Sequence, residues 1–491
     1  MHSASSLPPL RDDAGKAIIT NLIDGKSILL DNSLNFPVIS ARTQEVLHHG
    51  QTASVDVVTH AIESAAATFK TYKKTPVYER RRLLLRAAEL FEGKEEECKI
   101  RQMAETSCTE TWAKFTAMQT SDFCREIAGA VGSALVGEIQ PSYFGFTALA
   151  FREPVGPVLL IPPWNAAVVL CVRGIANALA AGCTVVVKAS ELCPWTHQLV
   201  VETFHEAGFP PGAVNMIMAD RPAGAEITET VIAHPALRKI EFIGSAAVGR
   251  LIGALAAKHL KPIILELGDQ SPAIVLDDAD LGHAAELCAR GVTIHHGQVC
   301  FSTERIIVQS SVKDEFSSLL SAALQKIPSA GMAISNAHAE RALTTISGAV
   351  RGGARFLHGS GELVASASIA PSILTDVDRN SALSTGEAFS PTAFLVAVET
   401  EEEVITEANS RTGGLSAAVF TRSFERGLRV SRELEFGMVQ VNNMTLFVEP
   451  AGPATCFKGS GWGSNNGRYG IENFLYSKAV SLVSPNAKSE H

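Results

Sequence analysis

Short apolar stretches at 17–23 and 27–30, separated by turn residues, predict a peripheral, strand-rich edge in the first fifty residues. Residues 54–136 change to a helical period: Arg80-Arg81-Arg82-Leu83-Leu84-Leu85-Arg86-Ala87-Ala88 sets charge on one side of a helix and an apolar stripe on the other. From Val155 the grammar changes again. β-branched runs at 158–161, 184–187, 214–217, 240–243 and 263–265 alternate with helical stretches such as 173–181 and 196–207. That alternation predicts βαβ units and a parallel sheet covered on both faces. Runs at 273–276, 305–308, 394–398 and 417–420 predict a second α/β domain, and 474–483 reads as a strand suited to an exposed sheet edge, for instance that of another subunit. The fold class is α/β.

Composition narrows the picture. The chain has 491 residues, 46% hydrophobic and 19% charged, long enough for two or three domains. A net charge of −9 argues against a nucleic-acid surface, which needs clustered cations. Nine scattered cysteines with no Cys-x-x-Cys pair suggest neither a disulfide framework nor a metal site. The opening residues carry no signal pattern, and no apolar run reaches the roughly 18 residues of a membrane span. A cytoplasmic location without membrane attachment is expected.

The chemistry concentrates in Gly297-Gln298-Val299-Cys300-Phe301-Ser302, with Glu266-Leu267-Gly268 upstream. A thiolate is strongly nucleophilic, so a cysteine in a glycine-containing segment and a carboxylate suggest covalent catalysis. No Gly-x-Gly-x-x-Gly follows a strand. Instead, Phe242-Ile243-Gly244-Ser245-Ala246-Ala247-Val248-Gly249 marks a strand-to-helix junction, either a pyrophosphate site or a plain tight turn. Val186-Val187-Lys188-Ala189-Ser190-Glu191 places a cation and a carboxylate where open sheets bind ligands, or in a solvated loop.

Together with Pro163-Trp164-Asn165 and Glu387-Ala388-Phe389-Ser390-Pro391, these motifs resemble the NAD(P)-dependent aldehyde dehydrogenase superfamily over residues 30–485. Residues 260–266, 300–305 and 467–472 are most similar to its salicylaldehyde and vanillin dehydrogenase branch. The resemblance implies a Rossmann-like NAD-binding domain (1–136 and 160–266), a catalytic domain (267–470) and a small β oligomerisation element (137–159 and 471–491) in a homodimer or homotetramer. It implies that Cys300 attacks the aldehyde, that Asn165 holds the oxyanion, and that Glu266, its pKa raised by partial burial, activates the hydrolytic water. Cofactor roles fall to Lys188, Glu191, Gly244, Ser245, Val248, Glu387, Phe389 and Trp164. The Glu191 carboxylate favours NAD over NADP. Trp112, Phe115, Phe301, Phe447 and Cys456 are candidates for a pocket that takes an aromatic aldehyde, or else core residues. The alternatives are acyl transfer to coenzyme A or phosphate, against which Glu266 argues, and a degenerate binding protein.

Four departures bear on these expectations. Asp269-Gln270 follows Glu266-Leu267-Gly268 where the family has a second glycine; Asp tolerates a left-handed backbone, and its charge is expected near the base. His295-His296 replaces an asparagine, and is either an imidazolium that lowers the Cys300 pKa or a surface or packing residue. The connection at 327–332 is short, and 452–458 differs at the expected substrate mouth.

Overall fold

The computed structural model describes residues 10–12, 15–142, 146–327 and 331–483. Its first α/β unit is built on an eight-stranded sheet. Five parallel strands lie side by side in the order Ile263–Leu267, Lys239–Gly244, Pro157–Ile161, Thr184–Lys188 and Val214–Ile217. The strand order reverses between Pro157–Ile161 and Lys239–Gly244, the kind of switch point at whose carboxyl ends open α/β sheets bind ligands. Asn21–Ile23 and Lys26–Ile28 extend one edge antiparallel, and Gly461–Trp462 returns from far along the chain to close the other.

Strand alternation divides the core between the two faces. Val158, Leu160, Val185, Val187 and Ile264 pack beneath the helices Val77–Gly93, Glu110–Ala134 and Ala167–Ala181. Leu159, Val186, Phe242, Leu265 and Leu267 pack beneath Val55–Tyr72, Gly224–Ala233 and Ala246–Lys258. Glu241 and Glu266 fall on the first of these faces, beside Ile264 and Ile243 in the register. The helix expected at 173–181 begins earlier, at Ala167, so Arg173 lies inside a buried helix rather than at its start.

The second unit is a seven-stranded sheet ordered Arg355–His358, Ser372–Thr375, Thr392–Val398, Thr303–Gln309, Ser271–Val275, Ser416–Phe420 and Met438–Val441, with only the first strand antiparallel. A third, three-stranded antiparallel sheet joins Glu138–Gln140, Thr147–Pro154 and Leu475–Leu482. The C-terminal strand pairs over eight residues with Thr147–Pro154 of its own chain, so its first partner is internal, and its outer edge is unpaired among the described residues. Residues 328–330 of the short connection and 484–491 of the C-terminal element lie outside the described residues. No helix among those described is long and apolar enough to cross a membrane.

Candidate active site

The cysteine segment is held by unusual backbone. His295, His296 and Gly297 have φ values of 48°, 58° and 68°, three consecutive left-handed residues. Gly297 is required because a Cβ there would strike the Ser390 carbonyl. Gln298 ties the turn down: its amide donates to the carbonyls of His295 at 3.1 Å and Met332 at 2.9 Å, and its side-chain oxygen accepts from Ile334 N–H at 2.8 Å. Such strain persists only where its surroundings enforce it, and here it delivers Cys300. All nine cysteines are free; Cys300 is partly exposed and the other eight are buried. Burial pushes the Cys300 thiol well above its ordinary value of 9.0, and the charges of Glu266 and Glu387 push it further, against the Arg173 cation. That field favours the thiol over the thiolate.

His295 is not the imidazolium that would have lowered this pKa. It is buried, and desolvation lowers its pKa to about 3, so the ring is neutral. It stacks on Trp112 with centroids 5.1 Å apart, and Trp164 meets it edge-on at 6.1 Å. Of the expected alternatives, packing is the one observed. Trp112 also donates its indole N–H to the Asn165 carbonyl at 2.8 Å, while the Asn165 side-chain amide donates to the Gln298 carbonyl at 3.0 Å. The candidate oxyanion donor is thereby anchored to the cysteine segment itself.

Glu266 lies within the strand Ile263–Leu267 and is buried. Beyond the partial burial expected, the carboxylate is held in an ion pair. Arg173 Nη2 donates to Glu266 Oε2 at 2.5 Å, and Asn465 Nδ2 donates to the same oxygen at 3.0 Å. Sequence reasoning missed both partners. The available signal was a single arginine in an otherwise apolar helix, since an arginine is rarely buried unless paired. Asp269 also differs from expectation. Its backbone is not left-handed, and its carboxylate accepts from Leu415, Ser416 and Gln270 N–H and from the Ser271 hydroxyl, so it pins the second domain's strands. Its charge acts on Glu387 and Glu304.

Lys188 ends the strand Thr184–Lys188, and Glu191 lies close enough to oppose the desolvation that lowers the lysine's pKa. Gly244 ends the neighbouring strand, Ser245 caps the helix Ala246–Lys258 by accepting from Val248 N–H at 3.4 Å, and Val248 is exposed on that first turn. Glu387 packs against Gly268, where a Cβ would overlap its carboxylate. Its Oε1 is buried with no hydrogen-bond partner among the described residues, and burial together with the Glu304 and Asp269 charges raises its pKa well above 4.5. Phe389, left-handed at φ 46°, meets Trp164 edge-on at 5.9 Å.

The five pocket candidates do not form one wall. Trp112 and Phe301 share an apolar cluster with Phe123, Val169, Val299 and Leu446. Phe115 touches Trp112 at 5.9 Å but is 43% exposed. Phe447, 42% exposed, borders a separate groove beside Met438, Val439 and Gln440. Cys456 is buried in the field of Glu266 and Arg173 rather than among the aromatics.

Residues 29–480 match the model of the aldehyde dehydrogenase family. The chain is similar to a vanillin dehydrogenase of Pseudomonas fluorescens, 36% identical over 94% of this chain and 97% of that one. It is 33% identical to a salicylaldehyde dehydrogenase of Pseudomonas putida, over 91% and 94% of the two chains. Its fold superposes on a crystal structure of a salicylaldehyde dehydrogenase from Pseudomonas putida G7 complexed with salicylaldehyde, with a TM-score of 0.92, 32% identity, and 96% and 100% coverage.

Proposed function

From the premise that this chain belongs to the aldehyde dehydrogenase family, we propose that it oxidises an aromatic aldehyde to the carboxylic acid with NAD. The observation that carries this reading is the position of Cys300: the one partly exposed cysteine lies within the electrostatic reach of Glu266 and next to the Trp112–Phe301 cluster. Cys300 gives up its thiol proton to solvent and attacks the aldehyde carbon as the thiolate, and the oxyanion is held by the Asn165 amide and the Cys300 backbone N–H. A nicotinamide held there would supply the hydride acceptor. The resulting thioester on Cys300 is hydrolysed by a water whose proton goes to Glu266.

The residues fit such a cofactor. Lys188 and Glu191 stand at the carboxyl end of a parallel strand, where adenosine-ribose hydroxyls find both a donor and an acceptor. Ser245 and the exposed first turn of Ala246–Lys258 offer N–H groups to a pyrophosphate. The unpartnered Glu387 oxygen is an acceptor without a donor, as a ribose-binding carboxylate requires. Glu191 repels a 2′-phosphate, which favours NAD. A flat aromatic ring suits the Trp112–Phe301 cluster by edge-to-face or offset contact. The unpaired edge of Leu475–Leu482 supports assembly as a dimer or tetramer by strand addition to a second copy.

Reduced cofactor formation by the purified protein, measured across aliphatic, benzaldehyde-type and hydroxylated aromatic aldehydes beside Cys300→Ala, tests the reading. Cys300-dependent turnover confined to aromatic aldehydes supports it; turnover confined to aliphatic ones overturns the substrate class.

A further inference from the structure

Behind Glu266, on the face of the cofactor sheet covered by Ala167–Ala181, lies a second buried carboxylate to which the mechanism above gives no role. Glu241 sits on the neighbouring strand, two residues before Ile243, the parallel partner of Glu266, so both carboxylates project toward the same helix. Glu241 is 2% exposed, and neither of its oxygens has a hydrogen-bond partner among the described residues. Leaving a carboxylate buried and unbonded is expensive unless its charge or its proton has a use. The fold makes room for it. Gly174 follows Arg173 in the helix, and a Cβ at Gly174 would sit 2.8 Å from Glu241 Oε2.

Arg173 precedes Gly174 in that helix and pairs with Glu266. Its Nη2 is bound to Glu266, but its Nε is buried without a partner among the described residues, and its charge is felt by Glu241. A guanidinium presents its donors in a fixed planar fork that matches one carboxylate at a time, a geometry an ammonium lacks. The other titratable groups facing Glu241 are Lys239, whose ammonium is bound to the Asn473 carbonyl, and the thiols of Cys171 and Cys456. The Asn177 amide, one turn along from Arg173, is also buried and unpartnered among the described residues.

We infer that Arg173 is a positioning residue shared between Glu266 and Glu241, and that ionisation of Glu241 draws the guanidinium off Glu266 and frees the base for deacylation. The inference rests on the assignment of Cys300 as nucleophile and Glu266 as base. With Glu241 protonated, Arg173 has one anionic partner and Glu266 is latched; with Glu241 ionised, the pair competes for one cation. Burial pushes the Glu241 carboxyl up to about 7, with Arg173 opposing the shift, so the exchange falls at physiological pH. In deacylation, water forms a bond to the acyl carbon, the carbon–sulfur bond breaks with the electron pair leaving on Cys300 sulfur, and the water proton passes to released Glu266.

A cofactor-free readout separates this step. The full-length protein is acylated with a 4-nitrophenyl ester, and the acyl adduct on Cys300 is followed by intact mass from pH 5.5 to 9. Wild type is expected to lose the adduct faster as pH rises through about 7. Glu241→Gln, close to isosteric and uncharged, is expected to deacylate about tenfold more slowly above pH 7, without that pH limb, as one pKa unit of lost interaction gives. Its thermal midpoint should hold or rise, because an unpaired buried charge is removed. Arg173→Lys, which keeps the charge but not the fork, should flatten the same limb. Wild-type rate and pH profile in Glu241→Gln would overturn the inference, and so would a slowed rate that retains the limb. Failure of wild-type Cys300 to acylate at all would instead overturn the assignment of nucleophile and base.

Discussion

Trp112 lies face to face with His295, ring planes 9° apart, and its indole N–H reaches the Asn165 carbonyl. One side chain thus links a strained segment before the nucleophile to the candidate oxyanion donor. Trp112→Phe retains a stackable ring but removes the donor. It should lower stability by about 1 kcal/mol, the net value of a hydrogen bond, and lower kcat more than it changes KM, because Asn165 acts on charge that develops in the transition state. Urea denaturation beside steady-state kinetics checks both; an altered KM with unchanged kcat would place Trp112 in ground-state binding alone.

His295 provides a pH test with a definite sign. Its folded pKa is depressed from 6.5 to about 3 by burial, first, and by His296. Below pH 6.5 the unfolded chain takes up the imidazole proton and the folded site does not, so stability is lost as pH falls from 6.5 toward 3. The expected outcome is that the stability difference between wild type and His295→Asn shifts against wild type across that window and is constant above pH 7. Parallel melting curves of the two proteins show it.

Cys300 should be the first cysteine labelled in the folded protein, since the other eight are buried. Its thiol is held well above 9.0, so labelling by iodoacetamide is expected to be slow near neutrality and to accelerate continuously with pH beyond 9. Mass mapping of the adduct identifies the site, and loss of activity should track occupancy of Cys300. Cys300→Ala should reduce turnover by on the order of 10³-fold or more, as removal of a nucleophile does.

Asp269 accepts four hydrogen bonds in the interior, which ties Gln270 and Ser271 to Leu415 and Ser416. Asp269→Asn presents an amide N–H to at least one of those donors and should destabilise the protein by about 2 kcal/mol. The urea midpoint should fall at unchanged slope.

Glu191→Gln removes the charge expected to repel a 2′-phosphate while keeping a hydrogen-bonding side chain. The ratio of kcat/KM for NAD to that for NADP should fall about tenfold, roughly the effect of one partly screened charge pair. An unchanged ratio would move cofactor discrimination elsewhere in the site.

Much of the architecture was readable along the chain. The five parallel strands of the first sheet and the helical block at 54–136 appear where apolar periodicity predicted them, because both faces of a parallel sheet are buried and leave an uninterrupted signature. Two departures are less legible. The sequence puts Asp269 beside the base and leaves His295 two roles, since neither a carboxylate's hydrogen-bond donors nor an imidazole's solvent exposure is a local property.

The sequence by itself determined the motif set, the order of the two α/β units and the identities of Cys300, Glu266 and Asn165 as candidates. Tertiary structure alone decided what those groups feel. Arg173 is an isolated charge in an apolar run, and nothing local says that its helix pairs it with Glu266 or that Glu241 shares a sheet face with Glu266. Gly461–Trp462 and Asn465 reach the same strand from almost two hundred residues away. Charge interactions depend on distance in space and on the water excluded between the groups, and only the packed fold sets either quantity.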